Sequence, residues 1–251
     1  AENEVSLQSY EMPKMINDLG GQIRIFMPRY GNINERRHQL HEVIRLSGMN
    51  LVVNDMDMPL IIKVASIPKE RIQVYFIDND EYFKRKATFS DEEGVLYPDN
   101  DERAIFFAKG VVETVKKLNW VPDVIHVHGW MAAMLPVYLK HYYKDEGIFA
   151  ETKIISSVYE QGFDGELDKE FINKVLFDNI GKEAVSDLAS PTYENLMKVS
   201  IMHSDAVVAG SETLSPTLTK FIESSNKPFL PFASKDTIKE VYTSFIKNHV
   251  L

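Results

Sequence analysis

The sequence predicts an α/β protein built on a doubly wound, mostly parallel sheet. Three observations carry that prediction. Short runs rich in Val and Ile alternate with longer amphipathic stretches, the pattern left by strands and helices laid down in turn. The apolar run Val124–Val127 has the character of a strand buried on both faces, and it passes through His128-Gly129-Trp130 into a helical stretch. Open α/β sheets place their ligands at such carboxyl ends of strands. Finally, 251 residues with 44% hydrophobic content suffice for one large core or two small ones, and there is no internal repeat.

The elements follow in order. Leu7–Leu19 reads as a helix stopped by Gly20-Gly21. Ile23–Met27 reads as a strand ended by Pro28. Asn34–His41 is polar and reads as a short helix. Val43–Leu46, Leu51–Val53 and Leu60–Ile67 read as strands, with turns at Asn54-Asp55 and Met58-Pro59 between the last two, so this stretch is expected to be an antiparallel insertion. Ile72–Ile77 is the next strand. Asp101–Leu118 is a long amphipathic helix with Ile105, Ala108, Val112, Val115 and Leu118 on one face. Val124–Val127, Ile154–Val158 and Ala206–Ala209 are strands with helices between them, and Phe163–Ser190 reads as a polar, irregular, mobile excursion. Lys235–Lys247 is the last helix. Composition never shifts enough to mark a boundary, so residues 1–251 are expected to form a single Rossmann-like domain. A wound sheet normally opens on a strand, whereas this chain opens on a loop and a helix.

Composition excludes several classes of function. The net charge of −9 repels nucleic acid and anionic lipid, so neither is expected as a partner. The absence of cysteine removes disulfides, thiolate metal sites and cysteine nucleophiles. No apolar run approaches the roughly 18 residues of a membrane span. No secretory pattern opens the chain, and a cytoplasmic location is expected. No Gly-x-Gly-x-x-Gly, phosphate-binding P-loop or Gly-x-Ser-x-Gly is present, leaving a dinucleotide enzyme, an NTPase and a serine hydrolase without support. The paired aspartates at 55/57, 78/80 and 99/101 lack the spacing of a calcium loop.

Several blocks, in order along nearly the whole chain, resemble the first half of bacterial glycogen and starch synthases. Met12-Pro13-Lys14 through Pro28-Arg29-Tyr30-Gly31 is similar to that family's Leu-Pro-Lys helix, strand and Pro-Arg-Tyr-Gly turn. Val74–Asp78 with Tyr82-Phe83-Lys84-Arg85, and Asp99-Asn100-x-x-Arg103, match its next elements. His126-x-His128-x-Trp130 with Leu135–Lys140 resembles its His-x-His-Asp-Trp signature and the following helix. Asn195–Lys198 through Ser204–Val208 resembles its later blocks. The resemblance implies one half of the two-domain GT-B arrangement, and descent from enzymes that move glucose from ADP-glucose or UDP-glucose to an α-1,4-glucan. The stretch after Val208 is too short for the family's second domain, and Lys235–Leu251 looks like the helix that returns to the first domain. The second domain is therefore expected to be excised, the alternative being that the sequence is a piece of a longer chain, and the former interdomain cleft is a candidate surface for a protein partner or a second copy.

Three departures from the family pattern bear on chemistry. The family's Lys-x-Gly-Gly-Leu phosphate loop falls on Ala1–Val5, which has neither lysine nor glycine and carries two carboxylates. Gly129 stands at the signature aspartate. Tyr159 stands at the family's active-site histidine, and a phenol with a pKa of about 10 cannot do an imidazole's work near neutral pH. The chain is therefore expected to be incompetent alone, with no cofactor, no metal and no catalytic residue assigned. The alternative is a non-catalytic module that binds glucan, nucleotide sugar or a partner.

Candidate binding residues each carry a structural alternative. His126 and His128 share one strand face and fit either a metal pair lacking a third ligand or core imidazoles. Trp130 is a sugar-stacking platform or a packing anchor. Tyr82 matches a family tyrosine near the donor, or is a half-buried loop aromatic. Asp99, Asn100 and Arg103 line the old acceptor cleft, or form a helix cap with its first turn. Glu160 is a general base or a solvated strand-end carboxylate. Arg36-Arg37 beside His38 and His41 is a phosphate site or a solvated face.

Overall fold

The computed structural model describes residues 4–251. The chain opens on α1 (Glu4–Asp18). Its end at Gly20-Gly21 is a Schellman stop: Gly20 takes φ +87°, and the amides of Gly20 and Gly21 donate to the carbonyls of Asn17 and Ile16 at 3.0 Å each. Two compact units follow from the packing: Pro13–Trp120, and the described residues up to Met12 together with Val121–Leu251.

The unit Pro13–Trp120 carries β1 (Arg24–Pro28), β2 (His41–Glu42), β3 (Met49–Val53), β4 (Met56–Ser66), β5 (Gln73–Asp78), α2 (Asp80–Phe83) and α3 (Asn100–Leu118). β1 and β5 pair in parallel, while β4 runs antiparallel to β5, β2 and β3. The antiparallel insertion is present. Its hairpin turns on Asn54 and Asp55, whose φ values of 48° and 61° suit the right-handed twist of the strands they join. Three local expectations differ from the structure. Residues 34–39 form turns instead of a helix, closed by Gln39 at φ 53°. Ile44–Leu46 is a 3₁₀ turn, because the Ser47 hydroxyl donates to the Val43 carbonyl and accepts the Ile62 amide. Met58-Pro59 lies within β4, where only β3 pairs alongside, so the missing proline N–H costs no ladder bond on the other side.

The expected apolar face of α3 is buried, with Ile105, Ala108, Val112 and Val115 at most 3% exposed. The helix is in fact buried on most sides, and Lys109 reaches its ammonium to the Val52 carbonyl at 2.6 Å. At the end of β5 the fully buried Asp78 lies between Arg29 (3.0 Å) and Lys63 (3.1 Å). Such a cluster adds little net stability and fixes which strand ends meet.

The other unit carries β6 (Val124–His128), α4 (Leu135–Lys140), β7 (Lys153–Val158), α5 (Phe171–Phe177), α6 (Tyr193–Met202), β8 (Ala206–Ala209), α7 (Pro216–Ser225), β9 (Phe229–Leu230) and α8 (Ile238–His249). β6, β7, β8 and β9 form one all-parallel sheet in that order. The fold is thus α/β, with one mixed and one parallel sheet. Residues 163–190 are not irregular throughout: they hold α5 and a 3₁₀ stretch (Lys182–Ala189), with Phe171, Val175, Val185 and Leu188 buried. The final helix starts at Ile238, three residues after the expected position. Among the described residues no helix is long and apolar enough to cross a membrane.

Candidate functional site

The parallel register sets the site. His128 lies opposite Ser157, and Val158 opposite Ala209, so the carboxyl ends of three strands deliver His126, His128, Ser157, Tyr159 and Ser211 to one rim. His126 and His128 alternate on β6, and their rings stack at 4.2 Å with 23° between planes. Both nitrogens of His126 are occupied: Nδ1 lies 2.8 Å from the Tyr242 hydroxyl and Nε2 lies 2.6 Å from the Ser157 hydroxyl. His128 Nδ1 lies 2.7 Å from the Tyr159 hydroxyl. Burial holds His128 neutral down to about pH 4. Burial, and then the neighbouring His128, hold His126 well below the ordinary imidazole range.

Tyr159 is fully buried, and burial pushes its phenol far above the ordinary value. It is a hydrogen-bonding strut for His128. Its carbonyl accepts the Tyr193 hydroxyl at 2.5 Å, and burial raises the Tyr193 phenol to about 12. Trp130 is 5% exposed and meets the Phe163 ring edge-on at 5.0 Å, so most of its face is spent on packing. The Glu160 amide donates to the Ser211 hydroxyl, which in turn donates to the Glu4 carboxylate. Of the stretch at the family's phosphate loop, Ala1–Asn3 lies outside the described residues. Glu4 places a negative charge on this rim.

Gly129 has φ 77° and ψ 173°, a region open essentially to glycine alone, and a side chain there would touch Val5 at 3.3 Å. Replacing it with the family residue is therefore a stability experiment. Gly129→Asp is expected to lower unfolding free energy by about 1–3 kcal/mol, read from the denaturant midpoint. An unchanged midpoint would mean that the turn relaxes freely.

Next to Tyr159 opens a cleft of about 780 Å³, lined among others by Glu160, Phe163, Asp164, Glu166, Tyr193 and Glu194. Its lining contains four carboxylates and no Lys, Arg or His. Aromatic walls with acceptor groups suit a neutral, polyhydroxylated ligand.

The remaining candidates lie in Pro13–Trp120. Asn79 caps α2 by accepting the Tyr82 amide at 3.1 Å, which fixes Tyr82 with its hydroxyl 3.1 Å from the Glu102 carboxylate. Burial, then Glu102, raise the Tyr82 phenol strongly. Asp99 does not cap α3 with its side chain; it grips Arg85 through two 2.5 Å bonds. Asn100 donates to the Phe89 carbonyl at 2.9 Å and accepts from Arg103 at 2.7 Å. Arg103 is fully buried, with its guanidinium against Phe83, Tyr97 and Tyr30 at 5.1, 5.4 and 5.8 Å. Asp99, Asn100 and Arg103 thus form one network with Arg85, while Arg36 and Arg37 are solvent-exposed.

Sequence reasoning missed Tyr242, Ser157, Ser211 and Tyr193. Tyr242 meets His126 across 116 positions of chain, and no local pattern marks it. Ser157 could have been found, because its register opposite β6 follows once both strands are drawn in parallel.

A parallel sheet whose strand ends carry two imidazoles, a Gly-Trp turn and an adjoining aromatic cleft defines an α/β protein with its candidate site at the carboxyl ends of the strands. Residues 5–224 match the family model for the starch synthase catalytic domain, and the chain belongs to that family. It is 39% identical over 165 residues to a glycogen synthase of Chlorobium limicola, covering 65% of this chain and 34% of that protein. It is 35% identical over 217 residues to a glycogen synthase of Chlorobaculum parvum, covering 84% and 42%. The chain therefore spans less than half the length of these relatives. Its fold is shared with the catalytic domain of starch synthase IV from Arabidopsis thaliana bound to ADP and acarbose, at a TM-score of 0.73 and 16% identity, covering 94% of this chain and 50% of that one.

Proposed function

We propose that this chain is a glucosyltransferase-derived domain that holds α-glucan and does not transfer glucose by itself. The observation that carries the reading is Tyr159. At the position that the resemblance gives to the family's histidine stands a buried phenol hydrogen-bonded to His128, and a phenol held far above its ordinary pKa cannot take an imidazole's part in the departure of a nucleoside diphosphate. The strand-end histidines are held neutral, and Glu4 adds negative charge where a leaving diphosphate requires positive charge. The four carboxylates of the cleft disfavour ADP-glucose and UDP-glucose and leave a neutral glucan as the better fit. A cytoplasmic setting fits this role, since glucan and sugar nucleotides meet there.

A second reading is supported by the resemblance to glycogen synthases: a partner subunit or a second copy supplies the missing cations, and transfer from ADP-glucose or UDP-glucose follows. One experiment separates the two. Calorimetry of the purified chain is expected to give binding heat with maltoheptaose and none with either sugar nucleotide, and radiolabelled transfer to glycogen is expected to stay at background. Phe163→Ala is expected to weaken maltoheptaose binding about fivefold, the loss of roughly 1 kcal/mol of stacking. Transfer by the chain alone would overturn the first reading.

A further inference from the structure

We infer that His141 and His203 form a two-histidine site for a borderline divalent transition-metal ion of the zinc or nickel type. The pair lies away from the strand-end rim. His141 follows the last residue of α4 and His203 follows the last residue of α6. Their Nε2 atoms are 2.9 Å apart, with ring centroids at 4.9 Å and planes at 69°.

The tautomer of His203 is set by its other nitrogen. Nδ1 lies 2.8 Å from the Val199 carbonyl, which can only accept, so Nδ1 carries the proton and Nε2 presents a lone pair to His141. A backbone carbonyl that fixes the distal nitrogen is the usual support behind a metal-bound imidazole. His141 reaches the same state by moving its single proton from Nε2 to Nδ1. Two imidazoles in tetrahedral coordination at about 2.05 Å hold their nitrogens about 3.3 Å apart, so only a few tenths of an ångström of opening is required.

The surroundings contribute charge of both signs. The carbonyl end of α6 and the carboxylate of Glu183 favour a cation, and Lys140, Lys144 and Lys227 oppose it. Two of those lysines have acceptors of their own: Lys140 lies 3.6 Å from Asp205, and Lys227 donates to the carbonyls of Met202 and Ser204. Partial burial keeps both rings neutral at pH 7, the form that binds metal. Among the described residues no group of three His, Asp or Glu side chains is placed to hold a metal, so water completes this coordination shell.

Titration of the full chain with Zn²⁺ or Ni²⁺ at pH 7.5 tests the inference. One equivalent is expected to bind, and His141→Ala and His203→Ala are each expected to weaken it tenfold or more. His38→Ala/His41→Ala, at an exposed turn and the exposed start of β2, is expected to leave it unchanged. Should either test variant fail to fold, ring resonances of the wild-type chain decide: those of His141 and His203 are expected to shift with metal while those of His38, His41 and His249 stay. No saturable binding, or binding that survives both single substitutions, would show that the contact is only a neutral imidazole hydrogen bond.

Discussion

Acidification from pH 7 to pH 4 is expected to remove on the order of 3 kcal/mol of folding stability through His128 alone. In the folded chain burial depresses this imidazole to about 4, whereas the unfolded chain titrates near the ordinary value. Between those two pH values the unfolded state binds the extra proton, so stability is complete above about pH 6.5 and falls as the pH drops through the window. His126, stacked on the same ring and also depressed by burial and by His128, adds to the loss in the same direction. Urea unfolding at several pH values measures the slope, and His128→Gln is expected to flatten it. A wild-type profile that is level between pH 6.5 and pH 4 would mean that the rings protonate in place, without the buried, hydrogen-bonded geometry described above.

Tyr242→Ala is expected to be the most destabilising single truncation near the site, at about 3–5 kcal/mol. Tyr242 is 2% exposed on α8, and its hydroxyl meets His126 Nδ1 at 2.8 Å, so truncation opens a cavity and strips a half-buried nitrogen of its partner. Tyr242→Phe keeps the ring and is expected to lose only about 1–2 kcal/mol. Equal losses for the two variants would assign the whole effect to the hydrogen bond, and a loss under about 1 kcal/mol for Tyr242→Ala would detach α8 from the strand-end cluster.

The strands of the parallel sheet were legible because strands buried on both faces are rich in Val, Ile and Ala, even where His126 or Ser156-Ser157 interrupts the run. Val124–Val127, Ile154–Val158 and Ala206–Ala209 are found within a residue of their expected ends. β9 escaped notice because two residues leave no period. Val43–Leu46 has strand-forming residues, yet the Ser47 hydroxyl closes a tighter turn there, a local bond that propensity does not weigh. The excursion at 163–190 carried a signal that its polar surface masked: Phe171 and Val175 stand four apart, the spacing of one helix face, and both are fully buried.

The candidate site was legible in its residues and opaque in their partners. His126, His128 and Tyr159 stood out in the chain, but that they would be fastened to Tyr242, Ser157 and one another depends on strand register and on a helix more than a hundred residues away. The edge-on contact of Phe163 with the buried Trp130 joins residues 33 positions apart, and no local pattern announces it. Asp99, Asn100 and Arg103 were readable as a group, while the aromatic enclosure of Arg103 was not, because Phe83 comes from α2 and Tyr30 and Tyr97 from two separate loops.

The backbone at Gly129 ties the turn to the first helix. An acid placed there either bears the strain of φ 77° or makes the turn relax, and the tip of the Val5 side chain must shift by a few tenths of an ångström to admit its Cβ. A substitution at Gly129 is therefore felt at Val5, and the start of the first helix shares in deciding which residue this strand end accepts.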